Sequence, residues 1–363
     1  MDLGDRLYSC DDHLDMWTLP PDLWQARVSP TLRDQAPKVV RMNDMDMWVG
    51  NGKPLGPSGG KMMNMYSAIT RAGIRDDSGF RASTPKLRLE DMDRDGVWAS
   101  VIYGPSLFGL PLGDAGLKAE CLRVYNDWAA EFNAYAPERL AVLPVLTTHT
   151  VDAAVAELHR CAKMGHRGAI VFVFEIDVRQ PEWDRLWSAA EETGLPLSFH
   201  IGAGLHLVEP VPKSWQMACY SACCPLQLDE PLSVMIFSGA LERHPRMRLV
   251  LAESGIGWVP YFVGRLDGAA TKHVPNATDY KLKAKPSEIF KAQVLATFEE
   301  EPLGPQLIPL VGADSFMWAS DYPHPDSTFP HSGVAIAEAF AGLAPEVRRK
   351  ATAENCARLY KFA

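Results

Sequence analysis

The chain has 363 residues, 47% of them hydrophobic, and a formal charge of −9 from 36 basic and 45 acidic side chains. That length falls in the range of roughly 200 to over 400 residues that one α/β barrel with insertions occupies, so a single domain over 1–363 is expected. No cluster of lysines and arginines is present, which argues against a nucleic-acid surface or an anionic-membrane patch. Residues 1–6 lack the basic and apolar regions of a signal peptide, and no apolar run reaches the ~18 residues of a membrane span, so a cytoplasmic location is expected. Seven cysteines at irregular positions do not suggest a disulfide framework, and the adjacent Cys223-Cys224 pair has no C-x-x-C spacing.

In chain order, β-rich apolar runs occur at 6–10, 97–103, 140–146, 168–174, 195–199, 248–252, 293–298 and 316–320. Helical periodicity covers 117–135, 151–164, 181–193, 231–243, 258–270 and 345–360. Strands alternating with helices predict parallel βα units, and eight of them predict a (β/α)₈ TIM barrel. The interval after the first strand is far longer than a βα unit needs. It holds Asn51-Gly52, Gly59-Gly60 and six methionines (Met42, Met45, Met47, Met62, Met63, Met65) with Trp48 and Tyr66. An adaptable apolar lid is expected there, the competing reading being a flap packed on the barrel or on a second subunit.

Four of the strands run into metal-binding side chains at Gly/Pro-rich breaks: Asp11-Asp12-His13, His200, Glu253, and Asp321-Tyr322-Pro323-His324. Alternation along a strand puts Asp11 and His13 on one side and Asp12 on the other. Ligands at the carboxyl ends of separate strands are how a barrel assembles an active site. Histidines with carboxylates form an N/O donor set suited to Zn²⁺, Mn²⁺ or Fe²⁺ and unsuited to copper(I) or an iron–sulfur cluster. The surplus of three carboxylates and three histidines leaves two arrangements open: two metals, or one metal beside an acid/base pair. Glu253 and His324 are candidates for both roles. Glu299-Glu300-Glu301 after the seventh strand reads as a solvated charge run, with a contact to metal or substrate as the other option. His206, Asp326 and His331 lie in loops past strand ends, whereas His149, His159, His166, His244 and His273 receive no role.

The Asp-x-His of the first strand, His200, the stretch from Glu253 through Ser254, Gly255, Ile256, Gly257, Trp258 and Val259 to Pro260, and the Trp318–His324 segment together resemble the amidohydrolase superfamily. Within it the sequence is most similar to the amidohydrolase-related branch that includes aminocarboxymuconate semialdehyde decarboxylase and the resorcylate decarboxylases. The resemblance spans most of the chain except about 25–87. It implies a distorted barrel with a long insertion after the first strand and a metal at the carboxyl face held by Asp11, His13, His200 and Asp321. It also implies a structural role for Arg265. One position departs: this branch commonly has a histidine where the chain has Glu253, so a carboxylate must move the proton or bind metal there.

The expected function is a metal-dependent hydrolase or decarboxylase acting on a small carboxylated or acyl substrate, with Glu253, Asp321 and His324 as catalytic residues. The alternative is a non-heme diiron oxygenase using all six residues and two irons for a hydrophobic substrate. A non-catalytic metal-binding scaffold is the third class. The partner expected is a small molecule with an apolar body, and the surface insertion could serve a homodimer.

Overall fold

The computed structural model describes residues 6–59, 67–105, 110–211, 213–277 and 279–362. Gly60, Met62, Met63, Met65 and Tyr66 of the insertion lie outside the described residues. Eleven strands are found among the described residues: β1 Leu7–His13, β2 Lys38–Met42, β3 Met45–Gly50, β4 Lys53–Pro57, β5 Val97–Tyr103, β6 Leu140–Val142, β7 Ala169–Val171, β8 Leu197–His200, β9 Leu249–Ala252, β10 Val294–Phe298 and β11 Phe316–Trp318. Eight are parallel, in the orders β1-β5-β6 and β7-β8-β9-β10-β11. Backbone bonds join the two groups on both sides. Val145 bridges Ile170, and across the other seam Asp321 N–H donates to Asp11 O at 2.9 Å and His13 N–H to Tyr322 O at 2.7 Å. The result is a mixed α/β fold with parallel sheets, consistent with a TIM barrel.

Residues 249–252 and 294–298 are buried throughout, as strands covered on both faces must be, which is why they read as continuous apolar runs. All eight expected strands exist, 97–103 with the limits expected and the other seven with altered limits. The strand expected over 6–10 continues to His13, because Asp12 and His13 pair with Ile102 and Tyr103 of β5. The strand expected over 140–146 stops at Val142, just before Pro144, which has no N–H for a ladder. The helix expected over 231–243 divides into Asp229–Phe237 and Ala240–Arg243 at Gly239, which has a φ of +77°.

The insertion is not a structureless loop. β2, β3 and β4 form an antiparallel sheet whose two-residue turns, Asn43-Asp44 and Asn51-Gly52, have positive φ at both positions, the conformation that matches strand twist. Trp48 is fully buried, donates from Nε1 to Met16 O at 2.7 Å, and meets Trp24 edge-on at 5.0 Å. These contacts fasten the sheet to the segment directly after β1.

Helix Pro85–Asp95, started by Pro85 and stopped by Gly96 at φ +76°, brings charge under the barrel wall. Arg88 is fully buried, donates to His13 O at 3.0 Å, lies 3.3 Å from Asp12 Oδ2 and faces the Tyr322 ring at 5.0 Å. Arg81 forks onto Asp91, which also accepts from Tyr322 OH at 2.6 Å. Asp95 accepts from Ser332 N at 2.9 Å and Ser332 Oγ at 2.5 Å.

Burial raises the Asp95 carboxyl to about 6, against the pull of its Ser332 bonds. Its native value exceeds its unfolded one, so its stabilising contribution is present below the unfolded pKa and is lost as pH rises through about 6. Asp95→Asn should therefore remove a pH-dependent term of about 2–3 kcal/mol between pH ~4 and ~6. Urea denaturation of both proteins across that range checks it, and a constant wild-type-minus-variant difference would contradict the assignment.

Candidate metal and active site

Asp11, His13, His200 and Glu253 meet at the carboxyl ends of β1, β8 and β9. His13 Nε2 lies 3.5 Å from Asp11 Oδ1 and 3.4 Å from Glu253 Oε2; His200 Nε2 lies 3.4 Å and 3.3 Å from the same two oxygens. Each of these four atoms is sealed from water and has no hydrogen-bond partner. Four unpaired buried donor atoms are costly unless something binds them. Their separations are those of neighbouring ligands around one ion with bonds of about 2.0–2.2 Å. The set thus fits a divalent metal by donor chemistry, spacing and unmet bonding capacity.

The support around these atoms fixes which face of each is offered. Asp11 Oδ2 accepts from Glu253 N at 2.7 Å and Thr297 Oγ1 at 2.8 Å, so Oδ1 is the oxygen turned to the cluster. His200 Nδ1 bonds Ile201 O at 2.7 Å, which places its proton there and leaves Nε2 with a lone pair. The pairing of β1 with β5 slips between Ser9 and Asp12. Past that slip Asp11 and His13 share the inner side, as alternation predicts. Asp12 faces away and is held by Ser9, Ser100 and Arg88.

Glu253 and Asp321 both have left-handed backbones, with φ of +53° and +60°. A non-glycine residue there costs about 1–2 kcal/mol. Strain of this kind persists where the surroundings hold it: Glu253 N–H is held by Asp11 and Thr297, and Asp321 N–H by Asp11 O.

Asp321 and His324 form a second group beside the first, sharing His13 and Glu253 with it. Asp321 Oδ1 is 3.1 Å from His13 Nε2 and 2.8 Å from His324 Nδ1, and His324 Nε2 bonds Asp15 Oδ2 at 2.7 Å. The His324 ring stacks on His13 at 3.9 Å. Burial disfavours the charged imidazoles, yet the carboxylates prevail: Asp321 and Asp15 hold His324 well above its ordinary value, and Asp321 and Glu253 raise His13 to about 10. Asp321 is held well below the carboxylate range by His324 and His13, against its own burial.

Every residue expected at the site is therefore found in one place. Sequence reasoning missed Asp15 and Thr297. Asp15 stands two residues past His13, the same spacing that flagged Asp11, while a lone strand threonine gives no signal. The acidic run is not solvated as expected. Only Glu300 is exposed; Glu301 accepts from Ile256 N at 2.8 Å and Gly257 N at 2.6 Å, and Glu299 Oε1 is buried. Asp326 and His331 line, with Arg71 and Glu300, a cavity of about 660 Å³ whose walls include none of the clustered residues. Arg265 is exposed, on helix Val259–His273. No described helix is long and apolar enough to cross a membrane.

The model of the family described as amidohydrolase matches residues 18–362, beginning just after β1. No curated protein matches the sequence. Among solved structures, the chain is similar to an amidohydrolase of Mycobacterium avium subsp. paratuberculosis, with a TM-score of 0.72, 19% identity and coverage of 98% of this chain and 99% of that one. It is similar to 5-carboxyvanillate decarboxylase of Sphingomonas paucimobilis, with a TM-score of 0.70, 22% identity and coverage of 99% and 100%. It is also similar to 5-carboxyvanillate decarboxylase of Novosphingobium aromaticivorans, solved with manganese and 4-hydroxy-3-methoxy-5-nitrobenzoic acid, with a TM-score of 0.68, 17% identity and coverage of 99% and 97%. At these identities the likeness is one of fold.

His200→Ala removes one of the four convergent atoms and leaves the Asp11–Glu253–Thr297 bonds in place. The variant should keep the wild-type circular dichroism spectrum and bind manganese more than about 100-fold more weakly in a calorimetric titration. Undiminished manganese affinity would remove His200 from the metal site.

Proposed function

The chain belongs to the amidohydrolase family, and we propose that it is a mononuclear metal-dependent decarboxylase of small aromatic carboxylates. It is an enzyme of the metal-dependent hydrolase or decarboxylase type. The observation that carries the proposal is the convergence of four unpaired buried atoms, from Asp11, His13, His200 and Glu253, beside an imidazole flanked by two carboxylates. Manganese is the ion we favour among Zn, Mn and Fe, since the structurally similar 5-carboxyvanillate decarboxylase was solved with it.

Under this reading Asp11, His13, His200 and Glu253 hold the ion, with Asp321 next to His13 as a further oxygen. When bound, the ion supplies positive charge for a substrate oxygen and so stabilises negative charge developing there. Both nitrogens of His324 face carboxylates, so both carry protons, and the ring is a store of acid at the mouth. Loss of carbon dioxide leaves an electron pair on carbon that must be protonated. His324 is placed to deliver that proton, with Asp321 and Asp15 orienting it. Hydrolysis asks instead for a base to take a proton from water, and this is the second reading, for which Glu253 is the available carboxylate. A diiron oxygenase finds no support in the family or in the neighbours. Its second iron would also need His324, whose two nitrogens are engaged by Asp15 and Asp321.

The same reading takes the eight parallel strands as one distorted (β/α)₈ barrel forming a single domain, supported by the seam bonds. Segment 25–87 is read as a wall or lid at the mouth, with an interface between two copies as the other option. Its sheet is fastened at Met16, next to the site, which favours the lid.

The test is to load the protein with manganese and assay a panel of hydroxy- and methoxy-substituted benzoates for carbon dioxide release, alongside amides, esters and lactones for hydrolysis. Decarboxylation of at least one benzoate is expected; hydrolysis alone would replace this reading with the second. His324→Gln should keep its manganese and lose roughly 10²–10⁴-fold in rate, the usual contribution of a positioned acid. Glu253→Gln should instead lose manganese affinity, because an amide cannot supply the anionic ligand. Full metal affinity with a reduced rate would make Glu253 the proton carrier.

A further inference from the structure

The turn that carries Glu253 is held at both ends from the neighbouring strand. At its start Glu253 N–H donates to Thr297 Oγ1 of β10 and to Asp11 Oδ2, each at 2.7 Å. At its far end the hold comes from Glu301, in the segment that follows β10: Oε2 accepts from Ile256 N–H at 2.8 Å and Oε1 from Gly257 N–H at 2.6 Å. Between these points Trp258 Nε1 donates to Ser254 O at 2.8 Å, and Ser254 Oγ to Leu251 O at 3.2 Å. The backbone from Glu253 to Trp258 is therefore bonded along its whole length.

Two segments are shaped around the Glu301 carboxylate. A Cβ on Gly257 would stand 2.5 Å from Oε1, and one on Gly304, at the start of helix Gly304–Val311, would run into Oε2 and stand 2.7 Å from Ile256 Cγ1. Neither glycine has the left-handed backbone that favours this residue, so what each provides is room. Gly255, at φ +60°, completes the wall, with a would-be Cβ 3.6 Å from Oε2. A glutamate tip can ordinarily swing away from such a contact, but here that movement would give up both bonds and leave two N–H groups without partners. Close approach of three glycines is thus the condition for this carboxylate to reach the turn.

We propose that Glu301 is a positioning residue of the metal site, fixing the turn over 253–258 so that the Glu253 carboxylate reaches both His13 and His200. Glu253 has a left-handed backbone at φ +53°, a conformation that persists only where its surroundings hold it. Its Oε2 has no hydrogen-bond partner and lies where the turn puts it, 3.4 Å from His13 Nε2 and 3.3 Å from His200 Nε2. Among the described residues Glu301 belongs to neither group of donor atoms close enough to share an ion, so its effect on the ion runs through the turn. For that effect the inference rests on the reading of Glu253 as a metal ligand. The positioning itself does not.

Two measurements decide it. The first is a pair of crystal structures, of wild type and of Glu301→Gln. The amide has the same size but offers one acceptor oxygen where two N–H groups need two, so the variant should release one end of the turn and carry Glu253 Oε2 about 1 Å or more from its wild-type place. A Glu253 that stays in place overturns the inference. The second is calorimetric titration of manganese into wild type, Glu301→Gln, Glu253→Gln and the double variant. Glu301→Gln should bind manganese roughly 10–100-fold more weakly, as loss of a supporting partner does. Made in the Glu253→Gln protein, the same change should cost less than about twofold, because the group it positions is already altered. If Glu253→Gln binds weakly, then unchanged affinity in Glu301→Gln, or an equal loss in both backgrounds, marks a residue that only stabilises the fold and overturns the inference. If Glu253→Gln binds manganese like the wild type, the ligand reading of Glu253 falls, and the crystal structures by themselves decide the positioning role. Gly257→Ala, whose added carbon presses on Glu301 Oε1, should reproduce both effects and serves as the test should Glu301→Gln not fold.

Discussion

The Asp11 carboxylate and its own carbonyl tie together four strands that are distant in sequence. Its carbonyl accepts from Asp321 N–H across the seam between β1 and β11, and its Oδ2 accepts from Glu253 N–H at the end of β9 and from Thr297 on β10. Only Oδ1 is left, and it points at His13 and His200. One residue thus joins the seam through its carbonyl, helps hold the left-handed Glu253 and Asp321 in place, and contributes a donor to the cluster. Thr297 completes the arrangement by accepting from Glu253 N–H while donating to Asp11.

Behind this first layer lies a second, of opposite sign. Asp12 faces away from the cluster toward the fully buried Arg88, which also caps the carbonyl of His13. Removing one member of such a buried pair is typically far more damaging than never having had it. Helix Pro85–Asp95 carries Arg88, Asp91 and Asp95 on its buried side. The helix therefore anchors both the back of β1, through Arg88, and the residues after β11, through Tyr322 and Ser332. The insertion that leads into it is thereby part of the site's foundation.

The cluster accumulates acids, Asp11, Asp15, Glu253 and Asp321, with three imidazoles among them. Such a concentration persists only if protons or a cation occupy it, and the geometry shows how the two are divided. The four unpaired atoms, with each imidazole nitrogen 3.3–3.5 Å from each carboxylate oxygen, are suited to an ion. His324, between Asp15 and Asp321, is suited to protons. A place suited to an ion and a place suited to protons are thereby kept distinct although both are made of histidine and carboxylate.

The clustered positions were legible in the sequence because they sit at strand ends: Asp11, His13, His200, Glu253, Asp321 and His324 each terminate or follow an apolar run. Alternation correctly separated Asp12 from its neighbours. The eight strands and most helices were legible for the same reason, that strands buried on both faces are written as unbroken apolar stretches. The insertion's sheet was not, since its strands are short and half exposed and only the Asn51-Gly52 turn announced it. Which side chains come close enough to share an ion, and that His324 is enclosed by Asp15 as well as Asp321, are matters of distance between segments far apart in the chain. Local pattern determines what each strand end offers; only the packing of the strands against one another decides which offers meet, because an atom's partner on another strand is set by register and packing that no single segment contains.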